Sequence, residues 1–171
     1  MNAVKTRRII EPPDTHHLSA AIGWLELGNH LEANVELQRI DANLRAHPDV
    51  MEVRWQIYAK AKWWEACEDL AGAIIKLAPD RSSGWIYRAY SLRRVKGLMA
   101  AWMSLLPAAE KFPNEWLISF NLSCYSCQLG NLENARKWLL QAFDKGDRAK
   151  LKALALDEAD LKALATEIKT F

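Results

Sequence analysis

Residues 113–146 read PNEWLISFNLSCYSCQLGNLENARKWLLQAFDKG. Two amphipathic helical segments meet at Leu129-Gly130-Asn131, a turn-forming trio. A small residue, Ala135, lies just inside the second segment, Leu139 follows one helical turn later, and Ala142 follows three residues after that. Pro113 opens the stretch and Gly146 closes it.

Working outward, the same columns recur along the chain. Ala33, Ala66, Ala101 and Ala135 are separated by 33, 35 and 34 residues. Each has a leucine four residues on, at Leu37, Leu70, Leu105 and Leu139, and then Ile40, Ala73, Ala108 and Ala142. Gly28-Asn29, Lys62, Lys96-Gly97 and Gly130-Asn131 precede the alanines, and Pro48, Pro79 and Pro113 close three of the units. Small residues let two helices approach closely, and a leucine one turn later fills the seam to the next pair. A hairpin of this size does not bury its apolar stripe alone, so the units must lean on one another.

At QLGNLENA, with Leu139, Ala142 and the closing Pro or Gly, the chain resembles the tetratricopeptide (TPR) family, whose unit is a 34-residue helix–turn–helix. The likeness covers about residues 15–146. It implies an all-α fold, a right-handed solenoid of four helical hairpins with a C-terminal capping helix. Helices are expected at 15–27 and 31–46, 49–60 and 63–77, 82–95 and 98–111, 114–128 and 132–145. The repeats run 14–47, 48–79, 80–113 and 114–146, after a flexible lead at 1–13 with Asp14 or Thr15 as N-cap. Residues 147–171 form the cap, with Leu151, Leu154, Leu161, Leu164 and Ile168 at helical spacing and Asp157 capping a final short helix. Three departures stand out: Pro48 falls a turn late, which predicts a long second helix, Arg54 takes a small-residue place, and Arg88 takes an apolar one.

Composition narrows the function. Half of the 171 residues are apolar and a net charge of +2 gives no argument for nucleic acid. No apolar run reaches the length of a membrane span, no secretory signal is read at the N-terminus, and three cysteines make no disulfide framework, so a cytoplasmic protein is expected. Cys124 and Cys127 share a helix face, but a zinc site needs two more ligands and no second pair follows. His16 and His17 are adjacent and diverge on a helix, and no phosphate-cradling glycine loop, H-E-x-x-H or G-x-S-x-G is present. Neither an enzyme nor a cofactor or metal site is expected. Among the eight tryptophans, Trp63 reads as core, and Trp24, Trp85, Trp102, Trp116 and Trp138 fall at packing positions.

In the TPR family the first helix of each hairpin lines the inner surface. Carried across by column, that resemblance implies a peptide-binding groove of Ile22 and Leu25, then Trp55 and Tyr58, then Ile86, Tyr90, Arg93 and Arg94, then Phe120, Asn121, Cys124 and Cys127. Between Asp80 and Glu110 there is no acidic residue, while Arg81, Arg88, Arg93, Arg94 and Lys96 are basic. The third repeat is therefore expected to meet an acidic segment or a terminal carboxylate, which the planar guanidinium binds bidentately. The expected function is a non-catalytic adaptor for a peptide or an amphipathic helix of another protein. A TPR-type secretion chaperone and a self-associating homo-oligomer are the alternatives, with no nucleic-acid or membrane partner.

Overall fold

A computed structural model describes residues 9–171, and among these there is no strand. Four helical hairpins follow in order: α1 (Asp14–Glu26) with α2 (His30–Arg39), α3 (Pro48–Lys60) with α4 (Trp64–Leu77), α5 (Ser83–Val95) with α6 (Leu98–Lys111), and α7 (Trp116–Gln128) with α8 (Leu132–Lys145). After them come α9 (Arg148–Asp157), a 3-10 turn at Ala159–Leu164, and the short α10 (Ala165–Ile168). The chain divides into two compact units, Met1–Gly84 and Trp85–Phe171, each with its own buried residues. Most of the expected lead, residues 1–8, lies outside the described residues.

Three of the hairpin turns are built alike. Gly28, Lys62 and Gly130 have φ of 80°, 60° and 79°, the left-handed conformation that ends a helix. In each, the next residue's amide reaches back to the helix: Asn29 to the Trp24 carbonyl, Trp63 to Tyr58, Asn131 to Ser126. Asn29 and Asn131 then cap the following helix, their side chains accepting from the amides of Glu32 and Asn134. The third turn is offset by one residue, with Gly97 rather than Lys96 at positive φ.

The buried columns keep a strict period of 34. Ala33, Cys67, Ala101 and Ala135 are all fully buried; so are Ala71, Leu105 and Leu139, with Leu37 nearly so. Ile74, Ala108 and Ala142 are fully buried as well, in column with Ile40. The second repeat is thus one residue later than the sequence columns of Ala66, Leu70 and Ala73, because Cys67 serves there as the small residue. On the first helices the matching small column is Ala21, Trp55, Ala89 and Ser123. It is Trp55, not Arg54, that takes the small-residue place, and in the same repeat Ala71 stands where the others carry leucine.

Other expectations are corrected. The long second helix is absent: α2 stops at Arg39, a 3-10 turn spans Ala42–Leu44, and Pro48 opens α3 as its first residue behind His47, whose Nδ1 accepts from the Asp49 amide. Proline fits there because its missing N–H has no helical partner in any case. Asp14 does not cap α1; its carboxylate accepts from the Asp41 amide instead. Asp157 ends α9 rather than opening a helix, and the cap over α9 is Asp147, which accepts from the Lys150 amide. Trp63 is 59% exposed and Trp24 also faces outward. The one-residue shift explains Trp63: Trp64 takes the apolar position held by Leu98 and Leu132, while Trp63 takes the turn position of Asn29 and Asn131.

In the first unit Ala21, Leu25, Ala33, Leu37, Ile40, Val50, Val53 and Ile57 form one core. In the second, the core runs from Ala89 to Ile168 and draws Trp85, Trp102, Trp116 and Trp138 against it. Leu161, Leu164 and Ile168 are fully buried there, each contributing about 1.5–3 kcal/mol by the usual transfer scale. At the joint before α9, a Cβ added to Gly146 would stand 2.7 Å from a Leu151 methyl carbon and 3.2 Å from the Trp116 ring, so the leucine would have to move.

Candidate protein-interaction face

In the first unit, Ile22 on α1 is 41% exposed, whereas Leu25 is core. Trp55 is only 6% exposed and belongs to the hairpin interior; the Cys67 thiol lies 3.8 Å from its carbonyl oxygen. Tyr58 is half-buried against the same core, its ring 5.4 Å from that of Trp63. The α3 residues in column with Ile22 and Leu25 are Gln56, exposed, and Ala59, half-buried. Sequence reasoning missed both because its second-repeat frame was one residue early.

In the second unit, α5 presents Ile86, Tyr90, Arg93 and Arg94 along one side. Ile86 packs on the core, while Tyr90 remains 40% exposed. The Arg94 guanidinium sits 3.6 Å above the centre of the Tyr90 ring and donates to the Tyr90 carbonyl, so it lies back along its own helix. Arg93 points elsewhere. Its guanidinium forks onto Asp160, with Nη1 on one carboxylate oxygen and Nη2 2.9 Å from the other, and it lies 5.8 Å from the Tyr125 ring centre.

On α7 the residues expected to face a groove are already covered. Phe120, Cys124 and Cys127 are buried, and Asn121 is half-buried. Phe120 meets Trp116 edge-on at 6.2 Å. The 3-10 turn Ala159–Leu164 lies over this face: the Gln128 amide donates to the Asp160 carbonyl at 3.1 Å, and the Ala163 backbone bonds the Cys127 sulfur. Burial pushes all three thiols above their ordinary range, Cys67 to about 11. Desolvation likewise raises the Tyr125 phenol to about 12, against the opposing pull of Arg93. Protonated, buried sulfurs are poor nucleophiles and poor metal ligands. Among the described residues no group of three or more His, Cys, Asp or Glu is placed to hold a metal ion, and no helix is long and apolar enough to cross a membrane.

Arg93, expected to meet an acidic segment of a partner, is instead paired with a carboxylate of the chain's own C-terminal turn. Arg81 of the basic stretch is likewise paired, with Asp49 and with Glu52 at 3.1 Å. Asp160 was not singled out from sequence. The signal that could have found it is Arg93 itself, one cation in a column otherwise of Leu25, Ala59 and Cys127.

A chain of consecutive helical hairpins with a strict 34-residue period is a TPR-like helical-repeat protein. The structure is similar to that of MamA AMB-1, at a TM-score of 0.58 and 18% identity over 92% of this chain and 95% of that one. The structure of MamA MSR-1 is similar to the same degree, with 20% identity over 92% of this chain and 93% of that one. No family model matches the chain, and no curated protein matches its sequence. At this identity the likeness establishes the fold and nothing finer.

Proposed function

We propose that the protein is a non-catalytic, cytoplasmic adaptor that docks a peptide or an amphipathic helix of another protein on the first-helix faces of its repeats. The observation that carries this reading is the Arg93–Asp160 fork: α5 and α7 already hold an acidic, leucine-bearing segment in the manner of a bound peptide. Beside it, Tyr90 and Arg94 offer an aromatic ring and a cation at the surface, a pairing common at protein interfaces. In the first unit, Ile22 and Gln56 occupy the equivalent places.

Capture of partners by the immobilised full chain, compared with Tyr90→Ala and Arg94→Ala variants, tests the assignment. Loss of one defined partner with helicity unchanged is expected. An unaltered set of bound proteins in both variants would remove the α5 face from the reading.

Self-association has an observation of its own. Leu31 and Val35 share one exposed face of α2, where the second and fourth repeats carry Glu65 and Asp69, and Glu133 and Lys137. An apolar pair in that position suits a covered surface. Light scattering across a concentration series distinguishes a monomer from an assembly, and Leu31→Glu should dissolve any assembly made through this face.

A further inference from the structure

The C-terminal turn is held differently from a simple end cap. The apolar side chains of the turn and of α10 after it, Leu161, Leu164 and Ile168, are fully buried, and the polar attachments of the two lie at their edges. Asp160 is forked by Arg93, its carbonyl accepts from Gln128, the Ala163 backbone bonds Cys127, and Glu167 is gripped by Arg136 with Nη2 2.8 Å from a carboxylate oxygen. Only six residues form the turn, and it follows α9 through Glu158, whose backbone is extended (φ −75°, ψ 116°). Lifting the turn together with α10 turns the chain at Glu158, breaks the bonds that Arg148 and Lys152 of α9 make to the Phe171 and Lys169 carbonyls, and leaves the four hairpins' own backbone hydrogen bonds in place.

Arg93 gives the second line of argument. The Arg93 guanidinium stands at the edge of an apolar surface with 33% of its side chain exposed, so the face favours an acidic residue there. The apolar surface of Phe120, Cys124 and Cys127 beside it requires aliphatic side chains at helical spacing. Asp160 with Leu161 and Leu164 meets both requirements at once, and Ile168 of α10 continues the same spacing within the same core. Tyr90 and Arg94 remain exposed along the same helix, so a longer ligand arriving from outside can bury surface that the resident turn leaves open.

We infer that the turn is a resident ligand of the α5–α7 face, and that the face receives from another protein a segment of the same chemistry, Asp-Leu-x-x-Leu-x-x-x-Ile, in exchange for it. This rests on the adaptor reading and adds to it the ligand pattern and a control, since the chain's own segment must leave before the partner's can bind. The competition follows from mass action: a face that is rarely vacant binds its external ligand more weakly by the vacant fraction.

The test uses the full chain, a fluorescent peptide of residues 157–171, and the three cysteines as reporters. Cys124 and Cys127 lie beneath the turn, whereas Cys67 lies in the first unit and reports unfolding there. Asp160→Ala should raise the rate of Cys127 alkylation by on the order of tenfold with Cys67 unchanged, and should tighten peptide binding by a similar factor. Arg93→Ala should raise Cys127 alkylation equally but abolish peptide binding, and a peptide with Asp160→Ala should not bind either chain.

An unchanged Cys127 rate in Asp160→Ala, with no peptide bound, would make the turn a fixed cap and overturn the inference. Should Asp160→Ala also expose Cys67, Gln128→Ala supplies the milder perturbation, and a Cys127 rate at the wild-type level in that variant would overturn it equally. A doubling of mass in Gln128→Ala, whose turn keeps Asp160, would place a second copy's turn on the face and overturn the assignment to another protein. The adaptor reading is separable: a partner captured through Tyr90 and Arg94 while the peptide fails to bind would leave the adaptor and remove the resident ligand.

Discussion

Lys62 is the residue at which the backbone asks for something its side chain does not supply. It holds φ of 60° in a turn where Gly28 and Gly130 do the same work. A Cβ in that conformation crowds the following carbonyl, at a cost of about 1–2 kcal/mol, part of which a glycine returns to the more flexible unfolded chain. Lys62→Gly should therefore raise stability by about 1 kcal/mol, seen as a higher urea midpoint at unchanged slope. Trp55 shows the opposite case, a residue whose size is indispensable. Because it fills a hairpin interior at a place designed elsewhere for alanine or serine, Trp55→Ala should cost about 3–5 kcal/mol and shift the unfolding midpoint sharply. A small shift would mean that the ring contributes little to packing.

At the scale of elements, α8 and α10 are joined by a charge pair with a definite pH dependence. Arg136 donates to Glu167 and, by that hydrogen bond first and its charge second, holds the Glu167 carboxyl below the usual range. The folded state thus binds the proton more weakly than the unfolded chain does. The pair's contribution is complete above the ordinary glutamate value of about 4.3 and fades as the pH falls through the depressed value. The difference in urea midpoint between wild type and Glu167→Gln should be constant near neutral pH, shrink as the pH falls below the ordinary glutamate value, and vanish only below the depressed one. A difference that persists in acid would assign the variant's effect to packing instead. Most element boundaries could be read from sequence, because turn residues and closing prolines act locally. The exception is α2, whose end depends on how Arg45 bonds the carbonyls of Gln38 and Ile40, a contact no periodicity announces.

Over the whole molecule, the repeat period was legible and its phase in the second repeat was not. Ala66, Leu70 and Ala73 satisfied the columns by residue type, whereas burial follows Cys67, Ala71 and Ile74 by volume and direction. That slip moved the expected face from Gln56 and Ala59 onto Trp55 and Tyr58. The pairing of Arg93 with Asp160 lay further out of reach, since 67 residues separate the two and no local pattern couples them. The fold's arithmetic nevertheless has a genetic corollary. Because equivalent positions recur every 34 residues, a segment such as 98–131 can be copied in frame, and its last residue then meets its first as Asn131 now meets Leu132. The elongated chain should keep its ellipticity per residue and its cooperative melt, whereas the same duplication with one residue trimmed should lose both. Growth or shrinkage of such a gene by whole modules is therefore tolerated at the protein level, while a single codon gained or lost inside a helix is not.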